Sequence, residues 1–165
     1  VHVDDVRAGL LAFAPLEHRI EPCGEARGIR FVNDSKATNT DAVSKALTAF
    51  APGSVLILLG GHDKGTELDD MASDVAASAR VAVCFGEAGE RIASALEAQG
   101  SALEVIRATH MEQALDAAIA EARPGDVVLL SPACSSFDEF SGYEERGRVF
   151  KALVEQRIEA MGERQ

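Results

Sequence analysis

The chain has 165 residues, close to the size of one domain, and 47% of them are hydrophobic. Its formal net charge is −11, so its field repels phosphate backbones and excludes a general nucleic-acid-binding role. No apolar run approaches the roughly 20 residues of a membrane span, and with no Trp and one Tyr the core must be mostly aliphatic.

The chain opens Val1-His2-Val3 without an initiator Met, and is expected to be a piece of a longer protein. Asp4 and Asp5 open a predicted helix to about Phe13, with Val6, Leu10 and Phe13 on one face. Pro15 stops it. "HRIEPCGEARGIRFVND" reads as two short strands around a Gly-containing turn, a hairpin. Thr40 is placed to N-cap a helix running through Phe50, with Val43, Leu47 and Phe50 as its stripe. "SVLILLGG" is a continuous apolar run, as in a strand buried on both faces.

The alternation then becomes regular. "ELDDMASDVAASA" is helical, "RVAVCFG" a strand, and "EAGERIASALEAQG" a helix ending at Gly100. "LEVIRA" is a short strand, "HMEQALDAAIAEAR" a helix, and "DVVLLS" a last buried strand. The final helix is predicted from about Tyr143 to Met161, with a stripe of Val149, Phe150, Leu153, Val154, Ile158 and Met161 and an otherwise solvated charged face. The pattern predicts an α/β fold: a Rossmann-like, mostly parallel sheet with helices on both faces and an antiparallel edge hairpin. The whole chain, 1–165, reads as a single domain.

The cysteines, Cys23, Cys84 and Cys134, form no CxxC pair. They read as reduced cytosolic thiols, neither a disulfide framework nor a zinc site, and the expected location is cytoplasmic. The four histidines are equally scattered, and no metal site is expected on this chain.

In an open parallel sheet, ligands bind beyond the carboxyl ends of the strands. Three polar segments fall there: Asn33-Asp34-Ser35-Lys36-Ala37-Thr38-Asn39, Gly60-Gly61-His62-Asp63-Lys64-Gly65-Thr66, and Ser131-Pro132-Ala133-Cys134-Ser135-Ser136-Phe137-Asp138. Each precedes a helix, and together they offer lysines, hydroxyls and helix N-termini suited to carboxylates and phosphates. Taken singly, each also reads as turn and cap chemistry. Lys36 and Lys64 have a second reading as ion pairs with Asp34 and Asp63. Convergence of all three segments on one rim favours a shared site, with Lys36, Thr38, Lys64 and Ser136 in one open cleft. Lys64 precedes Gly65, so the second segment is not a Walker A motif. Cys134 has no His placed beside it and is not a nucleophile.

"NDSKATN", "LLGGHDKG" and "LLSPACSSFDEFSGYEERGRVFK", with "LEHRIE" near the start, resemble the C-terminal domain of the Mur ligase family, in its D-glutamate-adding branch. The resemblance implies a three-domain ATP-dependent amide-bond ligase, with the N-terminal UDP-sugar domain and the central ATPase domain absent here. It implies ATP and Mg2+ in the full-length enzyme, UDP-N-acetylmuramoyl-L-alanine as the activated carboxylate and D-glutamate as the incoming amine. It carries over Lys64, Ser136 and Thr38, with backbone N–H groups near Phe137 and Tyr143, as holding the amino acid's carboxylates. Lys36 falls between amino acid and nucleotide phosphates, and Arg19 and Asp34 contact the nucleotide. The fragment alone is expected to be inactive and to bind no cofactor tightly. A competing reading is a free-standing Rossmann-like nucleotide-binding module built on "CFGEAGERI", which lacks the full G-x-G-x-x-G fingerprint. A third is an acidic protein-interaction domain.

Overall fold

The computed structural model describes residues 16–162. The helix expected from Asp4 to about Phe13 lies outside the described residues. The chain runs β1 (Glu21–Ala26), β2 (Ile29–Asn33), α1 (Thr40–Leu47), β3 (Val55–Gly60), α2 (Asp69–Ser78), β4 (Ala79–Phe85), α3 (Gly89–Glu97), β5 (Glu104–Arg107), α4 (Met111–Glu121), β6 (Val127–Ala133) and α5 (Tyr143–Gly162). Six strands form one sheet in the order β1-β2-β6-β3-β4-β5. Among the described residues the β1–β2 pair of the sheet is antiparallel and its other strand pairings are parallel; an isolated antiparallel bridge joins His62 to Ser135. The hairpin turns at Arg27 and Gly28, both at positive φ (52° and 76°), the twist that a two-residue hairpin loop favours.

Strands β3 and β6 are buried along their full length, as their continuous apolar runs Val55–Leu59 and Val127–Leu130 require. Alternate residues of β3 then serve opposite cores. Ile57 and Leu59 pack with Val43 and Leu47 of α1, Met71 and Val75 of α2, and Ile92 and Leu96 of α3. Leu56 and Leu58 pack with Met111 and Leu115 of α4 and with Phe150 and Val154 of α5. Both faces are thus covered. No helix of the described residues is long and apolar enough to cross a membrane.

Two details of α1 differ from the sequence reading. Asn39, not Thr40, is the N-cap: its extended backbone (φ −142°, ψ 165°) lets the side-chain oxygen accept from the Ala42 N–H, at 2.8 Å. The helix also ends at Leu47 instead of Phe50. Thr48, Ala49 and Phe50 donate to carbonyls three residues back, which tightens the last turn and closes it before Pro52. Asn39→Ala is expected to cost about 1 kcal/mol, read as a fall of roughly 2–4 °C in the thermal midpoint.

Candidate functional site

The sheet order sets β2, β6, β3 and β4 side by side. They are mutually parallel, so the segments leaving their carboxyl ends share one rim. Residues a hundred positions apart in sequence meet there.

The first segment is held from below. Asn33 is fully buried; its amide donates to His18 Nδ1 (2.9 Å) and Glu21 Oε1 (3.0 Å), and its side-chain oxygen accepts from the Ser35 N–H (3.1 Å). His18 is itself buried, which lowers its pKa and keeps the ring neutral. With Nδ1 accepting from Asn33, the proton is assigned to Nε2, which lies 3.1 Å from Glu17 Oε1 without a hydrogen bond of good geometry. Asp34 accepts from Ser131 Oγ at 2.8 Å and from the Ile20 N–H at 3.1 Å. Burial raises its pKa, against the lowering effect of those two bonds. Both carboxylate oxygens are therefore engaged within the protein. Arg19, Asp34 and Lys36 line one cleft of about 490 Å³ together with Asn39, Asp41 and Lys45.

The second segment carries Lys64, exposed, next to Asp63. Asp63 is gripped by Arg91 of α3, Nε to Oδ2 at 2.9 Å and Nη2 to Oδ1 at 2.8 Å. That fork, helped by the Gly65 N–H, holds the Asp63 pKa down at about 2. Thr38 and Lys64 line a second depression together with Cys134 of the third segment, with only about 20 Å³ of free space. Burial pushes the Cys134 thiol up to about 11, so it is a neutral wall at physiological pH.

The third segment is stitched to the second by a bond from the His62 N–H to the Ser135 carbonyl, 2.9 Å. The Ser135 and Ser136 hydroxyls are both buried, and neither has a hydrogen-bond partner among the described residues. Buried hydroxyls without partners are uncommon and mark a place where a ligand or water completes the set. Phe137 is 67% exposed. Tyr143 opens α5, and its carbonyl accepts from Ser35 Oγ at 2.8 Å.

Arg146 joins all of this and was missed in the sequence. It is fully buried in the first turns of α5. Nε donates to Ser35 Oγ (2.9 Å), Nη2 to the Ser35 carbonyl (2.8 Å) and Nη1 to the Cys134 carbonyl (2.9 Å). A Cβ built on Gly61 would lie 3.2 Å from Nη1, so the guanidinium touches the first and third segments and abuts the second. Burial lowers its pKa to about 10, which still leaves it charged at neutral pH. The expected solvated face of α5 needs correcting here. Arg146 sits at i−4 and i−7 from Phe150 and Leu153, in phase with the apolar stripe, and that phase was the available signal.

The four residues expected in one cleft share the rim but not the cavity. Lys36 lines the larger cleft with Arg19 and Asp34; Thr38 and Lys64 line the narrow depression; Ser136 lines neither. The ion-pair reading of the lysines also fails: Asp34 is taken by Ser131 and Ile20, and Asp63 by Arg91. Among the described residues no carboxylate lies within 4.0 Å of Lys36 or Lys64. Nor is there, among those residues, a group of three or more His, Cys, Asp or Glu able to hold a metal ion. The turn after β4 offers no cradle for a pyrophosphate. The amides of Gly86, Ala88 and Gly89 donate to the carbonyls of Thr109, Gly61 and Gly86, and that of Glu87 to Asp138 Oδ2.

A family model described as Mur ligase, glutamate ligase domain, matches residues 18–134. The chain is 43% identical over 154 residues to a UDP-N-acetylmuramoylalanine–D-glutamate ligase from Acidobacterium capsulatum, covering 93% of this chain and 32% of that protein. It is 46% identical over 155 residues to the protein of the same name from Salinibacter ruber, covering 94% and 33%. The chain thus spans about a third of the length of the curated relatives it matches. A bifunctional folylpolyglutamate synthase/dihydrofolate synthase from Yersinia pestis, complexed with AMPPNP and a Mn ion, has the same fold. Its TM-score is 0.63 at 17% identity, over 93% of this chain and 35% of that one.

Proposed function

The chain belongs to the Mur ligase family, and from that premise we propose that it is the C-terminal, amino-acid-binding domain of a ligase joining D-glutamate to UDP-N-acetylmuramoyl-L-alanine in peptidoglycan synthesis. The relatives that carry this name are about three times as long. The N-terminal UDP-sugar domain and the central ATPase domain are assigned to that remaining length. In the reaction, ATP phosphorylates the alanyl carboxylate. The D-glutamate amine then attacks the acyl carbon, the acyl–oxygen bond breaks, phosphate leaves, and the nitrogen gives up a proton to yield the amide.

The observation that carries the reading is the state of Lys64. It is exposed and lines one depression with Thr38, with no carboxylate partner among the described residues, while its neighbour Asp63 is bound by Arg91. A free ammonium and a hydroxyl in one depression suit a substrate carboxylate. Ser136, buried and unpartnered on the adjacent strand's segment, supplies a further donor once the substrate is seated. Backbone N–H groups near Phe137 and Tyr143 complete the proposed set. The wider cleft, with Arg19 and Lys36 facing it, suits the nucleotide phosphates, and Asp34 lies at its wall. Lys36 is then the residue between nucleotide and amino acid. A neighbour of the same fold was solved with AMPPNP and Mn, which supports ATP and a divalent cation, Mg2+ in this reading, for the complete enzyme. The described residues hold no donor set for that cation.

In the complete ligase, Lys64→Ala is expected to weaken D-glutamate use by on the order of 1.5–3 kcal/mol, the loss of a charge-assisted hydrogen bond. That is roughly a tenfold to hundredfold rise in the apparent KM for D-glutamate, with the KM for ATP unchanged. The reverse pattern, ATP affected and D-glutamate not, would move Lys64 to the nucleotide.

A further inference from the structure

The amides of the turn after β4, "CFGEAGER", are taken up within the protein, and the turn is fastened to the second and third segments of the rim. The Ala88 N–H donates to the Gly61 carbonyl at 2.9 Å. Glu87 reaches in both directions: its carboxylate meets His62 Nδ1 at 2.9 Å, and its N–H donates to Asp138 Oδ2 at 3.1 Å. Arg91, one helical turn on, makes the fork to Asp63 and also donates from Nη1 to the Thr66 carbonyl at 2.9 Å. Asp63 and Thr66 flank Lys64, so one guanidinium spans the stretch of chain that carries the lysine.

We infer that Arg91 is a positioning residue for amino-acid binding, and that it acts by occupying Asp63 so that the Lys64 ammonium stays free for the substrate's carboxylate. The argument rests on the reading of Lys64 given above. Asp63 and Lys64 are adjacent in an exposed loop, and an unoccupied Asp63 carboxylate is a ready intramolecular partner for that ammonium. Such a pair competes with any incoming carboxylate. Arg91 removes the competitor because it engages both Asp63 oxygens, and a bidentate guanidinium–carboxylate fork outranks a single-point ammonium contact in geometry. The Gly65 N–H on Oδ1, at 2.9 Å, turns the carboxylate further toward its own loop. The same fork fixes the loop's shape, which a purely structural role would also explain. The two roles differ in what happens when Asp63 loses its charge.

The test is steady-state kinetics of the complete ligase carrying Arg91→Gln, Asp63→Asn, and both together. Arg91→Gln is expected to raise the KM for D-glutamate roughly twofold to fivefold, the range of an exposed ion pair set against substrate binding. The KM for ATP and kcat should stay within about twofold of the parent, because Arg91 lines the depression of Thr38 and Lys64 and not the wider cleft of Arg19 and Lys36. Asp63→Asn in the Arg91→Gln background should restore the D-glutamate KM, because no carboxylate is left to capture Lys64. A double variant as impaired as Arg91→Gln overturns the inference and leaves Arg91 a loop brace. Lys64→Ala, measured in the same series, keeps the two levels apart. If Lys64→Ala leaves the D-glutamate KM unchanged, the parent reading of the site falls and this one with it. If Lys64→Ala raises it and Arg91→Gln does not, only the role of Arg91 falls.

Discussion

Arg146→Met is expected to lower the stability of the domain by about 3–4 kcal/mol, the net of three lost charge-assisted hydrogen bonds and the relieved burial of a charge. The gross loss is larger. Each bond from the guanidinium to Ser35 Oγ, the Ser35 carbonyl and the Cys134 carbonyl contributes roughly 1.5–3 kcal/mol. Methionine matches the length of the arginine stem but donates nothing, so the buried Ser35 carbonyl and the half-buried Cys134 carbonyl lose their donor. Against this stands the burial of the charge, whose cost is visible in a pKa lowered to about 10. Relief of that burial offsets several kcal/mol of the loss. No buried carboxylate is stranded, since the partners of Arg146 are neutral, and this keeps the figure below that for breaking a buried ion pair. In a chain of this size the change corresponds to a fall of roughly 6–15 °C in thermal midpoint. Arg146→Lys keeps the charge and one donor direction, and should fall between the two. An Arg146→Met variant as stable as the parent would mean that burial cancels the bonds, and that the three segments hold their places without the guanidinium.

The architecture was legible because β3 and β6 carry unbroken apolar runs, Val55–Leu59 and Val127–Leu130, and the helices between strands keep a clean stripe. Those two patterns alone specify a parallel sheet covered on both sides. The rim was legible for the same reason: topology, not local sequence, brings Thr38, Lys64 and Ser136 to one side of the sheet. What escaped the sequence was the internal wiring of that rim. Asp34 stands two residues before Lys36 and Asp63 directly before Lys64, and that proximity suggested pairing; in the fold their partners come from Ser131, 97 positions away, and Arg91, 28 positions away. Side-chain partners set by tertiary approach leave no periodic trace. Arg146 did leave one, its phase with Phe150 and Leu153, but a charged residue on an apolar stripe is easily read as the edge of the stripe. The division into two cavities was equally invisible, because Lys36 and Thr38 are two residues apart and yet face different spaces.

Gly61→Ala is expected to cost roughly 3–5 kcal/mol, combining a strained backbone with overpacking against a carbonyl that has nowhere to go. At φ +138° the residue lies where side chains are rarely accommodated, and its new Cβ would sit 2.3 Å from the Ser135 carbonyl oxygen. That oxygen is fixed by the His62 N–H at 2.9 Å, the bond that joins the second and third segments. Moving the carbonyl aside breaks this bond, while moving the glycine aside drives the methyl toward Cys134 and the Arg146 guanidinium, 3.0 and 3.2 Å away. Each escape therefore opens the junction between Lys64 and Ser136. Gly65 provides the control. It too has positive φ (+70°) but nothing within 4 Å of a Cβ, so Gly65→Ala carries only the left-handed strain, about 1–2 kcal/mol. Urea unfolding of the two variants beside the parent measures the difference directly. Equal midpoints would mean that the second and third segments slide past one another freely, and a site that depends on their fixed spacing would lose its structural basis.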